Sequence, residues 1–214
     1  MIHQIKTLIR KRLPFAMPVA IAIRHRKSLR KIRRLLKAGS DICIELGAGN
    51  KSGKGGWITI DMARNCDIYW DLRRGLPFPN DSIKRIYSSH FFEHLSFQEA
   101  QRFLDECKRA LVPGGNFSIC VPNAKLYIDA YAKGYSLDAA TFLAYEPAYN
   151  HTTRIDYVNY IAYMAGEHRY MFDEDNILSI LQSRGFANVR LRAFDPSVDL
   201  QERAFESIYA EAEK

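Results

Sequence analysis

From residue 41 onward the sequence predicts an α/β domain: a mostly parallel sheet with an antiparallel edge at its C-terminal end. Two observations point there. Between 41 and 121, short β-branched runs alternate with amphipathic segments, the pattern of strands joined by helices across a parallel sheet. Near the C-terminus a strand, the turn-rich connector DPSVDLQER and a last strand follow one another, which suits an antiparallel pair. With 214 residues, 47% of them hydrophobic, the chain has enough apolar side chain for the core of one ordinary domain.

The expected strands fall at 41–45, 57–60, 67–70, 83–88 and 116–121, with a helix over 98–111 that stops at PGG. The segment 124–170 holds nine of the twelve tyrosines at helical spacing. It is too long for a connector and is expected to be a helical insertion or lid over the sheet. A helix over 173–184, a strand over 188–194 and a final strand in FESIYAEAEK complete the domain 39–214.

Residues 1–38 stand apart as a basic arm. They carry twelve Lys and Arg and no acid, leaving nineteen basic and twenty-four acidic groups in the rest. A secretory signal would follow its apolar run with small residues, but RHRK follows Ile23. A membrane span needs about 20 apolar residues, and 13–23 is shorter and holds Pro14 and Pro18. Leu29, Ile32, Leu35 and Leu36 fall on one face of an otherwise cationic helix. Either that stripe packs on the body, or the arm meets a membrane surface, a partner protein or phosphates. The oligomeric state is open. Four widely spaced cysteines form no metal-ligand pattern and suit a reducing, cytoplasmic setting, with the inner membrane face as a further option.

The stretch ICIELGAGNKSGKGGWITID carries the cofactor signal. Gly47 and Gly49 directly after a strand let a backbone approach a ligand, and Asp61 ends the next strand where an acid can grip a ribose. A dinucleotide loop would have glycine where Ser52 stands. A phosphate loop would have glycine at Ala48 and Ser or Thr at Gly55. Only 50–56 separates the glycines from the second strand, whereas a parallel crossover normally takes a dozen residues or more. A loop or single turn therefore replaces the usual helix, leaving the pocket more open on that side.

A cofactor without pyrophosphate fits these residues. Here ELGAGN, ITID, WDLRRGLPFPNDSIKRIYSSHFFEHL and CKRALVPGGNFSICVPN, in that order, resemble the motifs of the class I S-adenosylmethionine-dependent methyltransferases, particularly the bacterial type 11 group, with their Rossmann-like sheet. The resemblance implies that Glu45, Gly47, Ala48 and Gly49 wrap the amino acid part of S-adenosylmethionine. It also implies that Asp61 holds the ribose beside Met62, that Asp71 and Leu72 border the adenine, and that Ser89 follows the fourth strand near the sulfonium.

Methyl transfer is an in-line displacement whose rate comes from alignment, and an oxygen nucleophile must also lose a proton. His90 and His168 are the catalytic base candidates, with His151 a weaker one; His94 reads as a helix-start element. No metal is assigned. The alternative is a site of His90, Glu93 and His94, at i, i+3 and i+4 on one helical face. That spacing is similar to an ExxEH arrangement that holds a divalent ion in some O-methyltransferases, with His90 in place of the first Glu.

The implied function is O-methylation of a sugar or surface-glycan precursor, because the resemblance extends to methyltransferases of bacterial polysaccharide synthesis and tyrosines suit sugar rings. A nucleic-acid (RNA) methyltransferase using the basic arm, and a noncatalytic binding subunit that keeps the fold, are the alternatives.

Overall fold

The computed structural model describes residues 16–39, 41–137 and 152–214; the base candidate His151, part of the tyrosine-rich segment and the first fifteen residues lie outside them. Seven described strands form one sheet: β1 (Cys43–Leu46), β2 (Trp57–Asp61), β3 (Ile68–Tyr69), β4 (Ile83–Ser89), β5 (Leu111–Pro122), β6 (Ala187–Leu191) and β7 (Ser207–Glu213). Their order is β3-β2-β1-β4-β5-β7-β6. Strands β1 to β5 pair in parallel, and β7 runs antiparallel to both β5 and β6, which is the mixed sheet the sequence predicts.

Period-two alternation separates the two faces of this sheet. In-register residues Ile44, Ile58, Ile86, Phe117 and Ala212 share one face. There they join the main core with α1 (Ala16–Ala38), α2 (Phe97–Ala110) and α5 (Glu174–Ser183) through Ile32, Leu104, Ile177 and Leu181. The other face carries Glu45, Thr59, Tyr87, Ser118 and Glu211, a polar set for a sheet surface. Over it lies the connector between β6 and β7, whose Phe194 and Val198 pack on Tyr87, Cys120 and Tyr209. Tyr87 Oη donates to Asp199 at 2.8 Å, and Arg192 forks onto the same carboxylate at 2.6 and 2.8 Å.

Strand β5 begins at Leu111, earlier than the sequence suggests, because Leu111 already pairs with Ile83 and Lys214 N donates to Gly115 O at 3.0 Å. Helix α2 opens on a capping box in which Ser96 and Glu99 satisfy each other's backbone N–H groups. In the tyrosine-rich region, α3 (Ala124–Lys133) and α4 (Ile155–Tyr163) pack on each other through buried Tyr127, Tyr157 and Tyr160.

Helix α1 lies against β3 rather than apart from the body. Ser28 accepts from Tyr69 N at 2.8 Å, Arg24 donates to the carbonyls of Ala63 and Arg64, His25 stacks on Trp70, and Ile32 enters the core. Leu36 is turned outward instead of joining the expected stripe, since the packed line runs through 25, 28, 32 and 35. Arg26, Lys27, Arg30, Arg33, Arg34 and Lys37 face solvent.

No helix joins β1 to β2. The carboxylate of Asp67 holds the short crossover: it accepts from Gly53 N at 2.9 Å, from Thr59 N and Thr59 Oγ1 at 3.1 Å, and from Lys31 of α1. At Gly53 a Cβ would stand 1.8 Å from Trp57 O, so the loop closes there only on glycine. Burial alone would raise the Asp67 pKa, but the bonds from Lys31, Thr59 and Gly53 outweigh it and hold the group at about 2.

Asp67→Asn is therefore expected to cost about 1–2 kcal/mol at pH 7. Because the folded pKa lies below the unfolded one, that contribution is full above pH 4 and disappears as pH falls toward 2. Urea midpoints of wild type and variant at pH 7, 4 and 2.5 check it: the gap should close on acidification, and a pH-independent gap would refute the assignment.

Candidate active site

The carboxyl ends of β1, β2 and β4 open onto a cavity of ≈ 310 Å³ lined by Gly47, Ala48, Gly49, Lys51, Asp61, Ser89, His90, Phe91, His94, Leu200 and Arg203. Its floor follows from the glycine turn. Gly47 and Gly49 both have left-handed φ, 66° and 62°, and Gly47 N donates to Ile60 O at 3.0 Å, tying the turn to β2. A Cβ on Gly47 would meet the Phe91 ring at 2.5 Å, whereas one on Gly49 meets nothing within 4 Å. The first glycine makes room for a protein ring, and the second leaves open space for a ligand. Asp61 Oδ2 accepts from Gly49 N at 2.9 Å and Oδ1 from Ala63 N at 2.8 Å, which fixes the carboxylate at the rim of the turn.

The sequence-derived cofactor residues divide among neighbouring spaces. Gly47, Ala48, Gly49, Asp61 and Ser89 line this cavity together. Glu45 is paired with Lys51 and lines an adjoining cavity of ≈ 490 Å³, which shares Lys51 and Leu200 with the first. That second space lies between the helix-free loop, the polar sheet face and residues 196–200. Asp71 caps a 3₁₀ turn (Leu72–Arg74) and is bonded by Arg73 at 2.8 Å. Leu72 is buried beside a small cavity that meets the glycine-turn cavity at Phe91. Met62 is exposed at the end of β2.

The far wall is histidine-rich. His90 has φ of 50°, in the left-handed region that non-glycine residues adopt uncommonly, and its N–H donates to Cys120 O at 2.9 Å as β4 turns away. Its ring is nearly buried, with Nε2 2.8 Å from Ser207 Oγ and Nδ1 3.6 Å from Glu93 Oε1. Burial, with Arg203 and the neighbouring imidazoles adding to it, holds its pKa well below the usual histidine value. Glu93 is 2% exposed, and burial pushes its carboxyl up to about 8.

Glu93 and His94 lie in a 3₁₀ turn (Phe92–His94) that precedes α2, so they do not share an α-helical face with His90. His94 does more than start a helix: it lines the cavity. His168 is not part of that wall. It is buried behind His94, ring centroids 5.3 Å apart, and its pKa is lowered by burial. Among the described tyrosines of 124–170 none lines the cavity.

Phe91, Leu200 and Arg203 escaped the sequence reading. Phe91 directly follows a named candidate, so a glycine that must clear a ring was its one available signal. Leu200 and Arg203 arrive from the β6–β7 connector, placed there by the long-range pairing of Asp199 with Tyr87 and Arg192.

No curated protein matches the chain. The structure is similar to a SAM-dependent methyltransferase of Archaeoglobus fulgidus at 14% identity, covering 98% of this chain and 99% of that one with a TM-score of 0.51. It is also similar to an S-adenosylmethionine-dependent methyltransferase of Mesorhizobium loti at 19% identity, covering 86% and 96% with a TM-score of 0.51. These likenesses concern the fold. A family model described as a methyltransferase domain matches residues 22–191, starting inside α1. With that match spanning most of its length, the chain belongs to the methyltransferase-domain family, as a class I enzyme whose cofactor is S-adenosylmethionine.

Proposed function

We propose that this methyltransferase acts on a hydroxyl oxygen, with a sugar or glycan precursor as acceptor. The observation that carries the reading is the composition of the cavity. A glycine turn and Asp61 suited to an adenosyl amino acid line one part of it and the neutral His90 imidazole another, with the buried Glu93 carboxyl beside that ring but outside the lining, 3.6 Å from its Nδ1. A hydroxyl acceptor needs such a wall because its proton must leave as the methyl arrives. The acceptor oxygen forms the new O–CH₃ bond, the S–CH₃ bond breaks with its electron pair passing to sulfur, and the hydroxyl proton passes to the imidazole wall. His90, beside Ser89, is assigned to that end of the cofactor; His168 acts on it through His94.

The outward cationic face of α1 favours a second reading, contact with a polyanion, because six basic residues stand there without an acid. An anionic membrane surface suits a glycan acceptor, and RNA suits the nucleic-acid alternative. No described helix is long and apolar enough to cross a membrane.

Asp61→Ala is expected to weaken S-adenosylhomocysteine binding about 10–100-fold, the worth of charge-assisted bonds to a ribose. His90→Ala should leave that affinity within about twofold while lowering turnover by about 10²- to 10³-fold. Calorimetry and a labelled-methyl assay against glycosides and RNA check both. Equal loss of cofactor affinity in the two variants would contradict the division of roles.

Replacing Arg26, Lys27, Arg30, Arg33, Arg34 and Lys37 by Gln should abolish flotation with anionic vesicles and leave turnover of a small soluble acceptor unchanged. If the same variant instead loses RNA affinity with a steep salt dependence, the nucleic-acid reading replaces the glycan one.

A further inference from the structure

We infer that Glu93, His94 and His168 form a divalent-cation site opening into the cofactor cavity, and that this cation holds the acceptor hydroxyl. The three residues come from two separated segments, yet one ligand atom of each lies within 4.8 Å of the others. What joins the segments is backbone bonding: the carbonyl of Glu93 accepts from Arg169 N at 2.8 Å and Tyr170 N at 3.2 Å. That staple brings His168 behind the 3₁₀ turn carrying Glu93 and His94.

The imidazole tautomers are set by their partners. His94 Nδ1 lies 2.9 Å from Glu167 O, and His168 Nδ1 lies 2.8 Å from Ile161 O. A carbonyl oxygen only accepts, so each Nδ1 carries the proton and each Nε2 keeps its lone pair. His94 Nε2 is 3.9 Å from Glu93 Oε1. Rings held by a backbone carbonyl on one nitrogen with the other turned inward are how metal-ligating histidines are oriented.

The carboxylate supplies an independent observation. Glu93 is 2% exposed, and its Oε2 is buried with no hydrogen-bond partner. A buried carboxylate oxygen left unpaired is costly, and a cation between it and the two Nε2 atoms would satisfy it. Arg203, in the same cavity wall, is the nearby positive side chain. His90 stands apart from the set, since its Nε2 is engaged with Ser207.

Two imidazoles and one carboxylate suit Mn²⁺, Fe²⁺, Co²⁺ or Zn²⁺ better than Mg²⁺ or Ca²⁺, which take all-oxygen sets. Three protein ligands leave positions open, and His94 is the ligand that also lines the cofactor cavity. A hydroxyl bound there would be acidified and held for in-line attack. This role in acceptor binding rests on the O-methyltransferase reading; the site itself does not.

The test uses the full chain stripped with chelator and titrated with Mn²⁺ by electron paramagnetic resonance and with Co²⁺ by visible absorption. The site predicts one ion per chain with nitrogen-ligated Co²⁺ bands. His94→Ala, Glu93→Gln and His168→Asn should each weaken binding at least about tenfold, with an unchanged circular dichroism spectrum and cooperative melt as the sign of an intact fold. The Asn side chain can still donate to Ile161 O, so His168→Asn separates lost ligation from lost packing. Absence of stoichiometric binding in the wild type, or equal binding in the folded variants, overturns the site even if hydroxyl methylation is found. Binding lost in the variants supports it whichever acceptor proves correct.

Discussion

The Asp67 carboxylate is the interaction on which the rest of this structure leans. A parallel pair of strands needs a connection that returns to the same end of the sheet, and a helix normally supplies the length and covers a face on the way. Here residues 47–56 make the return alone, and their backbone N–H groups need acceptors that no helix provides. Asp67 accepts from the loop at Gly53, from β2 at Thr59 and from α1 through Lys31. One side chain thus sets the spacing of three elements, and the glycine turn and Asp61, which bracket the loop, inherit their positions from it.

Omitting that helix changes what the sheet must be on its second face. Apolar alternation would leave a bare hydrophobic surface, and the sequence instead places Glu45, Thr59, Tyr87 and Ser118 there. The β6–β7 connector crosses this face and is fixed by the Asp199 carboxylate, fully buried between Tyr87 and Arg192. Anchoring the connector carries Leu200 and Arg203 to the cavity over the glycine turn. A shortened crossover at one end of the chain and site residues near the other are therefore linked through a single layer of packing.

What could be read from the sequence follows from how local each feature is. Strand alternation, the helix ahead of PGG and the glycines after β1 depend on neighbours in the chain, and they fall close to where the pattern puts them. The stripe of α1 was only partly legible: Ser28 replaces Leu36 on the packed face because its hydroxyl meets Tyr69 N, a demand that hydrophobicity does not register. The tyrosines of 124–170 suit sugar rings as a group, but Tyr127, Tyr157 and Tyr160 form the interior of the α3–α4 pair. The partnership of His168 with His94 was invisible, since it depends on backbone bonds to Glu93 across more than seventy residues.

The charge states around the cavity agree with its chemistry. A sulfonium would bring one positive charge into a partly dry space, where a protonated imidazole with no anionic partner would oppose binding, whereas the proposed cation has the Glu93 carboxylate to offset it. Lys51 at the mouth is matched by Glu45. His90, nearest the end of β4, is kept uncharged by its burial and by Arg203. An imidazole in that state neither repels the cofactor nor gives up the lone pair that a departing proton needs. Under the proposed assignment, the burial that keeps His90 uncharged would make it compatible with both the sulfonium and the loss of the acceptor's proton, and Arg203, absent from every local motif, helps to keep it so.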